Sequence, residues 1–298
     1  MVMEVVAHLD CGPGKTFVDA TVGGGGHAAA ILEASSPDGT LVGIDRDGDI
    51  LAVAEKALAK YRGRFELVHA NFKDLATVLA RLGEGPVDGL LLDLGISSWQ
   101  VDTPERGFSF RAEAPLDMRM DRGEEMTAAR LIRELPEEKL AEVIWKFGEE
   151  RRSRVIARAI KRAVTEKRMF TTTALAQVVK EAVGGRTPRG RRRLHPATRT
   201  FQALRIAVNG EMDSLEGVLR QLPAAVAPGG RCCCLAYHSL EDRLVKNAFR
   251  DLAGRGMEKR IPVVEVLTKK PLVPAEDEVR ANPRSRSARL RAFRKLEE

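Results

Sequence analysis

Cysteine is scarce in this chain and ill placed for metal chemistry: Cys11 stands alone, and Cys232, Cys233 and Cys234 form one unbroken run. No zinc or disulfide framework uses that spacing. Neighbouring strand residues face opposite ways, so three consecutive thiols cannot close round one ion. The run instead predicts small buried residues of a central strand, in a reducing compartment and with no structural metal. Aromatic residues amount to 5%, with two Trp and two Tyr, so any stacking surface must come from few side chains. No apolar run reaches the length of a membrane span and no leader-like segment precedes the first strand, so a cytoplasmic protein without membrane attachment is expected. Repeats and low-complexity tracts are lacking too. Against these absences, 298 residues with 44% hydrophobic content suffice for one large or two ordinary domains.

Acidic residues are nearly missing from one stretch. Residues 151–205 carry 16 Lys/Arg against Glu166 and Glu181, a net +14, while the whole chain is +7 and the other 243 residues sum to −7. A mildly acidic body with one strongly basic segment predicts a polyanionic partner at that place, and nucleic acid is the best fit. Within it, Arg186-Thr-Pro-Arg-Gly-Arg-Arg-Arg193 is loop-like by its Gly and Pro; taken alone it suits a solvated linker equally well. The last nineteen residues are basic as well.

What the first hundred residues do contain is a set of three strand ends punctuated by glycine and aspartate. Phe17-Val18-Asp19 runs through Thr21 and Val22 into Gly23-Gly24-Gly25-Gly26-His27 and an alanine-rich helix. Glycines suit such a turn because it needs positive φ and lets a ligand approach bare backbone. Leu41-Val42-Gly43-Ile44-Asp45 ends in an acid about twenty residues later, the offset at which a carboxylate grips ribose hydroxyls. Leu90-Leu91-Leu92-Asp93-Leu94-Gly95 carries a third acid at its end. Three such ends in order predict a nucleoside cofactor across the carboxyl ends of parallel strands. The dinucleotide fingerprint is incomplete, since Ala28 stands where its third glycine belongs. Asp19 would repel a pyrophosphate but suits the cationic amino-acid part of S-adenosylmethionine, which places that cofactor ahead of NAD.

Strand-like pieces lie at 16–20, 41–45, 65–69, 87–93, 230–237, 263–268 and 287–293, the last two expected as a hairpin. Between 93 and 230 the pattern is helical. Pro136 opens a helix with Leu140, Val143, Ile144 and Phe147 at helical spacing. Val155, Ala159, Ile160 and Ala163 form a second stripe. Thr172 or Thr173 caps a third helix, and Pro196 starts a long one through Phe201, Leu204 and Val208 that leads back to the sheet near Pro228-Gly229-Gly230. The expected fold is therefore α/β: a doubly wound, seven-stranded, mostly parallel Rossmann-like sheet of the class I methyltransferase layout. Residues 1–122 and 206–298 form its discontinuous domain, and a basic helical domain at 123–205 is inserted for nucleic-acid recognition.

After Asp93 comes a long polar loop, Ile96-Ser97-Ser98-Trp99-Gln100 followed by Arg106-Gly-Phe-Ser-Phe110 and Leu116-Asp117-Met118-Arg119. Its density of specific groups exceeds that of a plain connector. Trp99 reads either as a packed hydrophobe or as a base-stacking group. His238, in Tyr237-His238-Ser239-Leu240-Glu241-Asp242-Arg243, reads either as a capping histidine or as a catalytic one.

Taken together, Asp19-Ala-Thr-Val-Gly-Gly-Gly-Gly-His27, Gly43-Ile-Asp-Arg-Asp47, Leu92-Asp-Leu-Gly-Ile-Ser-Ser98, Arg106-Gly-Phe-Ser-Phe110, Pro115-Leu-Asp-Met-Arg-Met120, His195-Pro-Ala-Thr-Arg-Thr-Phe-Gln-Ala-Leu-Arg-Ile206 and Tyr237-His-Ser-Leu-Glu-Asp-Arg243 closely resemble the 16S rRNA (cytosine-N4) methyltransferase family, RsmH/MraW. The resemblance runs over nearly the whole chain. It implies an S-adenosylmethionine-dependent enzyme that methylates N4 of cytidine 1402 in 16S rRNA of the small ribosomal subunit. It also implies cofactor contacts at Gly25, Gly26, His27, Asp45, Phe72, Asp93 and Gln100. The expected catalytic candidates are Asp93 with Ser97 and Ser98, then Asp117 and His238. For RNA they are Trp99, Arg191, Arg192, Arg193 and Arg199. Other amino-methyltransferases carry Asp-Pro-Pro-aromatic after the fourth strand, where this chain has Asp93-Leu94-Gly95-Ile96, so stacking falls to Trp99, Phe108 or Phe110. Rival readings are the same chemistry on DNA or a small amine, and a non-catalytic RNA-binding factor with a retained cofactor pocket.

Overall fold

Apolar runs between turn residues become strands β1 (Thr16–Asp19), β2 (Thr40–Asp45), β3 (Phe65–His69), β4 (Val87–Asp93), β5 (Val226–Ala236), β6 (Val264–Val266) and β7 (Arg289–Lys295). They belong to a computed structural model that describes residues 1–168, 171–184, 195–256 and 261–297. The strand order is β3-β2-β1-β4-β5-β7-β6. β1 to β5 run parallel, and β7 is antiparallel to both β5 and β6. The order reverses between β1 and β4, the switch point beside which doubly wound sheets bind ligands.

The central strands β2, β1 and β4 are buried on both faces, which is why they carry near-continuous apolar runs, whereas β3, β6 and β7 interleave apolar with charged residues. On one face Val18, Ile44, Leu90, Cys232 and Cys234 pack with Leu75 and Val78. The same cluster takes in Leu215, Val218, Leu219 and Leu222 of the helix Glu211–Ala225, and Val245 and Phe249 of the helix Ser239–Leu252. Phe17, Leu41, Leu91, Cys233 and Leu235 point the other way. They meet Val5 and Leu9 of the helix Val2–Leu9, Ile31 and Leu32 of Gly26–Ala34, and Ala54 of Gly48–Ala57. The cysteine run is thus split between faces by strand alternation, as its sequence predicts.

Two units make up the chain: Met1–Gly95 with Met212–Glu298, and Ile96–Glu211. The second starts well before the expected residue 123. Phe108, Leu116, Met118 and Met120 of the long loop are buried in one core with Leu140, Ile144, Ile156, Ile160, Leu175, Val179, Phe201 and Leu204. Polar side chains that bond its backbone hold that loop in shape. Arg106, 1% exposed, donates from Nη2 to the carbonyls of Arg119 (3.0 Å) and Met120 (2.7 Å). Asn209 Nδ2 donates to Met118 O at 2.7 Å, and its Oδ1 accepts from Met120 N at 2.7 Å.

Several local expectations shift. In the helix Ser153–Thr165 the buried stripe is Ile156, Ala157, Ile160 and Ala163, and Val155 is exposed, so the face is rotated by one residue. The third helix, Thr172–Ala182, is capped by Thr171, whose Oγ1 accepts from Ala174 N; Thr172 instead donates its hydroxyl to Ala112 O. The helix from Thr198 stops at Asn209 because Gly210 takes a left-handed φ of 56°. A further helix, Glu211–Ala225, then precedes β5. Pro228-Gly229-Gly230 lies inside β5 as a bulge: Val87 pairs with Val226 but Gly89 with Arg231. β6 and β7 are antiparallel neighbours joined by the helix Glu276–Ala281 and a 3-10 turn, Pro283–Ser287, rather than by a hairpin turn.

Candidate active site

Within the sheet unit, register brings the three strand-end acids together. Asp19 pairs with Gly43 and with Leu91, so Asp45 and Asp93 each stand two residues beyond it. An even offset keeps all three on one side of the pleat. Asp19 is 1% exposed, and its Oδ1 accepts from Thr21 N (3.2 Å) and Thr21 Oγ1 (3.4 Å). Burial pushes its carboxyl up to about 7, against the opposing charge of His27 and with help from Asp93 and Asp45. Asp45 accepts from Gly23 N at Oδ2 and Asp47 N at Oδ1, each at 2.9 Å. Burial at the strand end raises it to about 6 despite those bonds.

Asp93 is held on three sides. Its backbone N donates to Thr21 Oγ1 at 2.6 Å, its Oδ1 accepts from the Tyr237 hydroxyl at 2.9 Å, and its Oδ2 lies 3.3 Å from His27 Nδ1. Burial lowers the basicity of His27, but the hydrogen bond and charge of Asp93, with Asp19 behind it, carry its pKa above the ordinary value. Burial, then Asp93, raises that of Tyr237. Thr21 and Tyr237 received no role from the sequence. Their signal was position alone, each lying beside a motif already singled out.

The glycine turn closes the same edge. Gly23 and Gly25 adopt φ of 50° and 85°, and Gly25 precedes the helix that starts at Gly26 and His27. Phe72 is half-buried on a 3-10 turn just after β3, where Ala70 N donates to Asp45 O at 3.0 Å. Three acids against one histidine make this edge electronegative, which fits a cationic sulfonium and ammonium group and opposes a pyrophosphate. His27 Nε2 is buried without a hydrogen-bond partner among the described residues, a polar atom left for a ligand.

His238 is a helix cap. Its Nδ1 accepts from Glu241 N at 3.4 Å while the Glu241 side chain accepts from His238 N at 3.3 Å. Its Nε2 is 3.1 Å from Glu241 Oε1 but off the hydrogen-bonding direction. The cap occupies Nδ1 only; Nε2 is buried without a hydrogen-bond partner among the described residues, as in His27.

In the helical unit, Ser97 and Gln100 form a capping box: Ser97 Oγ accepts from Gln100 N, and Gln100 Oε1 accepts from Ser97 N, each at 3.1 Å. Ser97 is thereby engaged as a cap, and Ser98 is exposed on the first turn. Burial alone would raise Asp117, but Arg119 outweighs it with bonds of 2.7 and 2.8 Å and holds the carboxyl below its ordinary value, which makes it a poor base. Trp99 has the Arg106 guanidinium 5.2 Å from its ring centroid. Phe108 is core, and Phe110 packs on His195 and Phe201. Arg199 is exposed, with Nη1 donating to Glu149 O at 3.2 Å. Arg191, Arg192 and Arg193 lie outside the described residues.

A model of the MraW methylase family matches residues 1–296. The chain belongs to that family. The MraW assignment makes it a methyltransferase, and its seven-stranded, mostly parallel sheet has the class I methyltransferase form. Three relatives, each called ribosomal RNA small subunit methyltransferase H, are similar along nearly the whole length. The protein of Syntrophotalea carbinolica is 50% identical, covering 98% of this chain and 96% of the relative. That of Geotalea daltonii is 51% identical with the same coverage, and that of Sorangium cellulosum is 50% identical over 98% of this chain and 89% of its own length. No helix among the described residues is long and apolar enough to cross a membrane.

Proposed function

We propose that this protein methylates N4 of cytidine 1402 in 16S rRNA, with S-adenosylmethionine as donor. The observation that carries the cofactor is the acidic edge of Asp19, Asp45 and Asp93. The relatives' shared designation as small-subunit rRNA methyltransferases and the basic segment at 151–205 support the substrate. When bound, S-adenosylmethionine supplies an electrophilic methyl group on a cationic sulfur. Asp45 would accept from the ribose hydroxyls, Phe72 would lie against the adenine, and Gly25, Gly26 and His27 would receive the amino-acid part. Gln100 is carried as a further contact by the family resemblance.

The exocyclic amine is a weak nucleophile because its lone pair is delocalised into the ring. An acceptor on its N–H groups favours a pyramidal nitrogen, so orientation supplies much of the catalysis. Asp93 is the group assigned here to accept that hydrogen bond and then the proton. Tyr237 and His27 keep its carboxylate oriented. The target base must be unpaired or flipped out of its stack. Mass mapping of methylated nucleosides in 16S rRNA, with and without this gene, tests the reading. Loss of one methyl at N4 of cytidine 1402 is expected; an unaltered 16S rRNA would overturn it.

A further inference from the structure

A cavity of about 320 Å³ opens within the sheet unit between the helix Ser239–Leu252 and the β6–β7 edge. Cations converge on it from four segments: Lys246 and Arg250 on the helix, Arg255 after it, Lys269 after β6 and Arg291 on β7. No acidic side chain lines it among the described residues. Arg291 is fixed by Asp242, its Nε donating to Oδ1 at 2.7 Å. Thr268 Oγ1, which accepts from Ala292 N at 3.0 Å, retains a hydroxyl proton to donate. Lys246 and Arg250 are four residues apart and share one helix face. Like charges that converge on a concave surface repel one another and favour an anion between them.

Arginine forks and lysine ammonium groups are the recognised partners of phosphate oxygens. The helix that carries Lys246 and Arg250 starts one residue after His238, and Tyr237 before it bonds Asp93. At the helical rise, Lys246 stands about 12 Å and Arg250 about 18 Å along the axis from His238. A single strand of a few nucleotides spans that range. We propose that the cavity holds a backbone phosphate of the RNA strand whose base is methylated. The proposal rests on the rRNA reading above for the source of the phosphate, and on the cavity alone for the phosphate chemistry.

The test compares wild type with the triple variant Lys246→Gln, Arg250→Gln, Lys269→Gln, none of which belongs to the cofactor or catalytic groups. Affinity for a single-stranded RNA fragment bearing the target cytidine is measured against salt, and S-adenosylmethionine affinity and Tm are followed alongside. The log K against log salt slope should flatten by roughly 0.7, the contribution of one phosphate contact on a single strand, with cofactor affinity and Tm unchanged. A second arm titrates inorganic phosphate into wild type and variant by NMR. An unchanged RNA slope with phosphate still bound in the cavity would assign the site to a small phosphate and overturn the strand reading. An unchanged slope with no phosphate response overturns the site. If wild type binds no RNA at all, the rRNA reading fails instead, and the phosphate arm still decides whether the cavity takes a phosphate group.

Discussion

Replacing Asp93 with Asn keeps the side-chain shape and removes the charge on which Tyr237 and His27 converge. The Tyr237 hydroxyl, 2.9 Å from Oδ1, can still donate to the amide oxygen. The amide NH₂ then faces His27 Nδ1, where a carboxylate oxygen lay at 3.3 Å. The amine of the substrate loses its anionic acceptor at the moment its proton becomes acidic. A hydrogen bond to a charged group contributes about 1.5–3 kcal/mol, and a 100-fold loss of rate corresponds to about 2.7 kcal/mol. We therefore expect the single-turnover rate, at saturating cofactor and RNA, to fall on the order of 100-fold. Cofactor and RNA affinities should change less, because the interaction strengthens towards the transition state. An independent readout is His27 itself. Asp93 supplies most of what raises its pKa, while burial opposes, so its NMR titration should move down in the variant. An intact single-turnover rate with only a raised KM for S-adenosylmethionine would refute the reasoning and leave Asp93 a binding residue.

Asp45→Ala should weaken S-adenosylmethionine by about 1–3 kcal/mol in calorimetry, since the ribose hydroxyls lose a charged acceptor; unchanged affinity would remove Asp45 from the site. Asp19 has a folded pKa of about 7 against an ordinary 3.8. Between those values the folded state holds a proton that the unfolded state has lost, so this group makes stability fall as pH rises through the window. Wild type minus Asp19→Asn should show that slope in Tm, and a difference that rises with pH would contradict it. Ionised Asp19 and Asp45 favour a cationic ligand, so calorimetric affinity for the cofactor should strengthen as pH rises through about 6 to about 7, and a flat profile would count against their charge. Lys161 Nζ donates to the carbonyls of Ile132, Arg133 and Leu135 at the end of the helix Ala128–Glu134. Lys161→Ala should cost about 1–3 kcal/mol in denaturant unfolding, and a loss of RNA affinity without a stability change would make it an RNA contact instead.

Local rules were enough to read the strands, their acidic ends, the glycine turn and the opposite-facing cysteines. Strand alternation, turn stereochemistry and the apolar requirement of a two-sided sheet act over a few residues, so they are visible in linear order. The acidic edge followed because parallel strands present their carboxyl ends together. Which polar groups remain available for chemistry was decided by the tertiary structure. Tyr237 reaches Asp93 across 144 positions of chain, whereas Ser97 was drawn into a helix cap, His238 into one through Nδ1 alone, and Asp117 into a fork with Arg119. The start of the helical unit at Ile96 depends on where Phe108, Leu116 and Met118 bury themselves, which no local pattern states. Lys246, Arg250, Lys269 and Arg291 look like scattered surface charge in sequence. They become one anion-attracting cavity because β6 and β7 fold back beside the helix that precedes them.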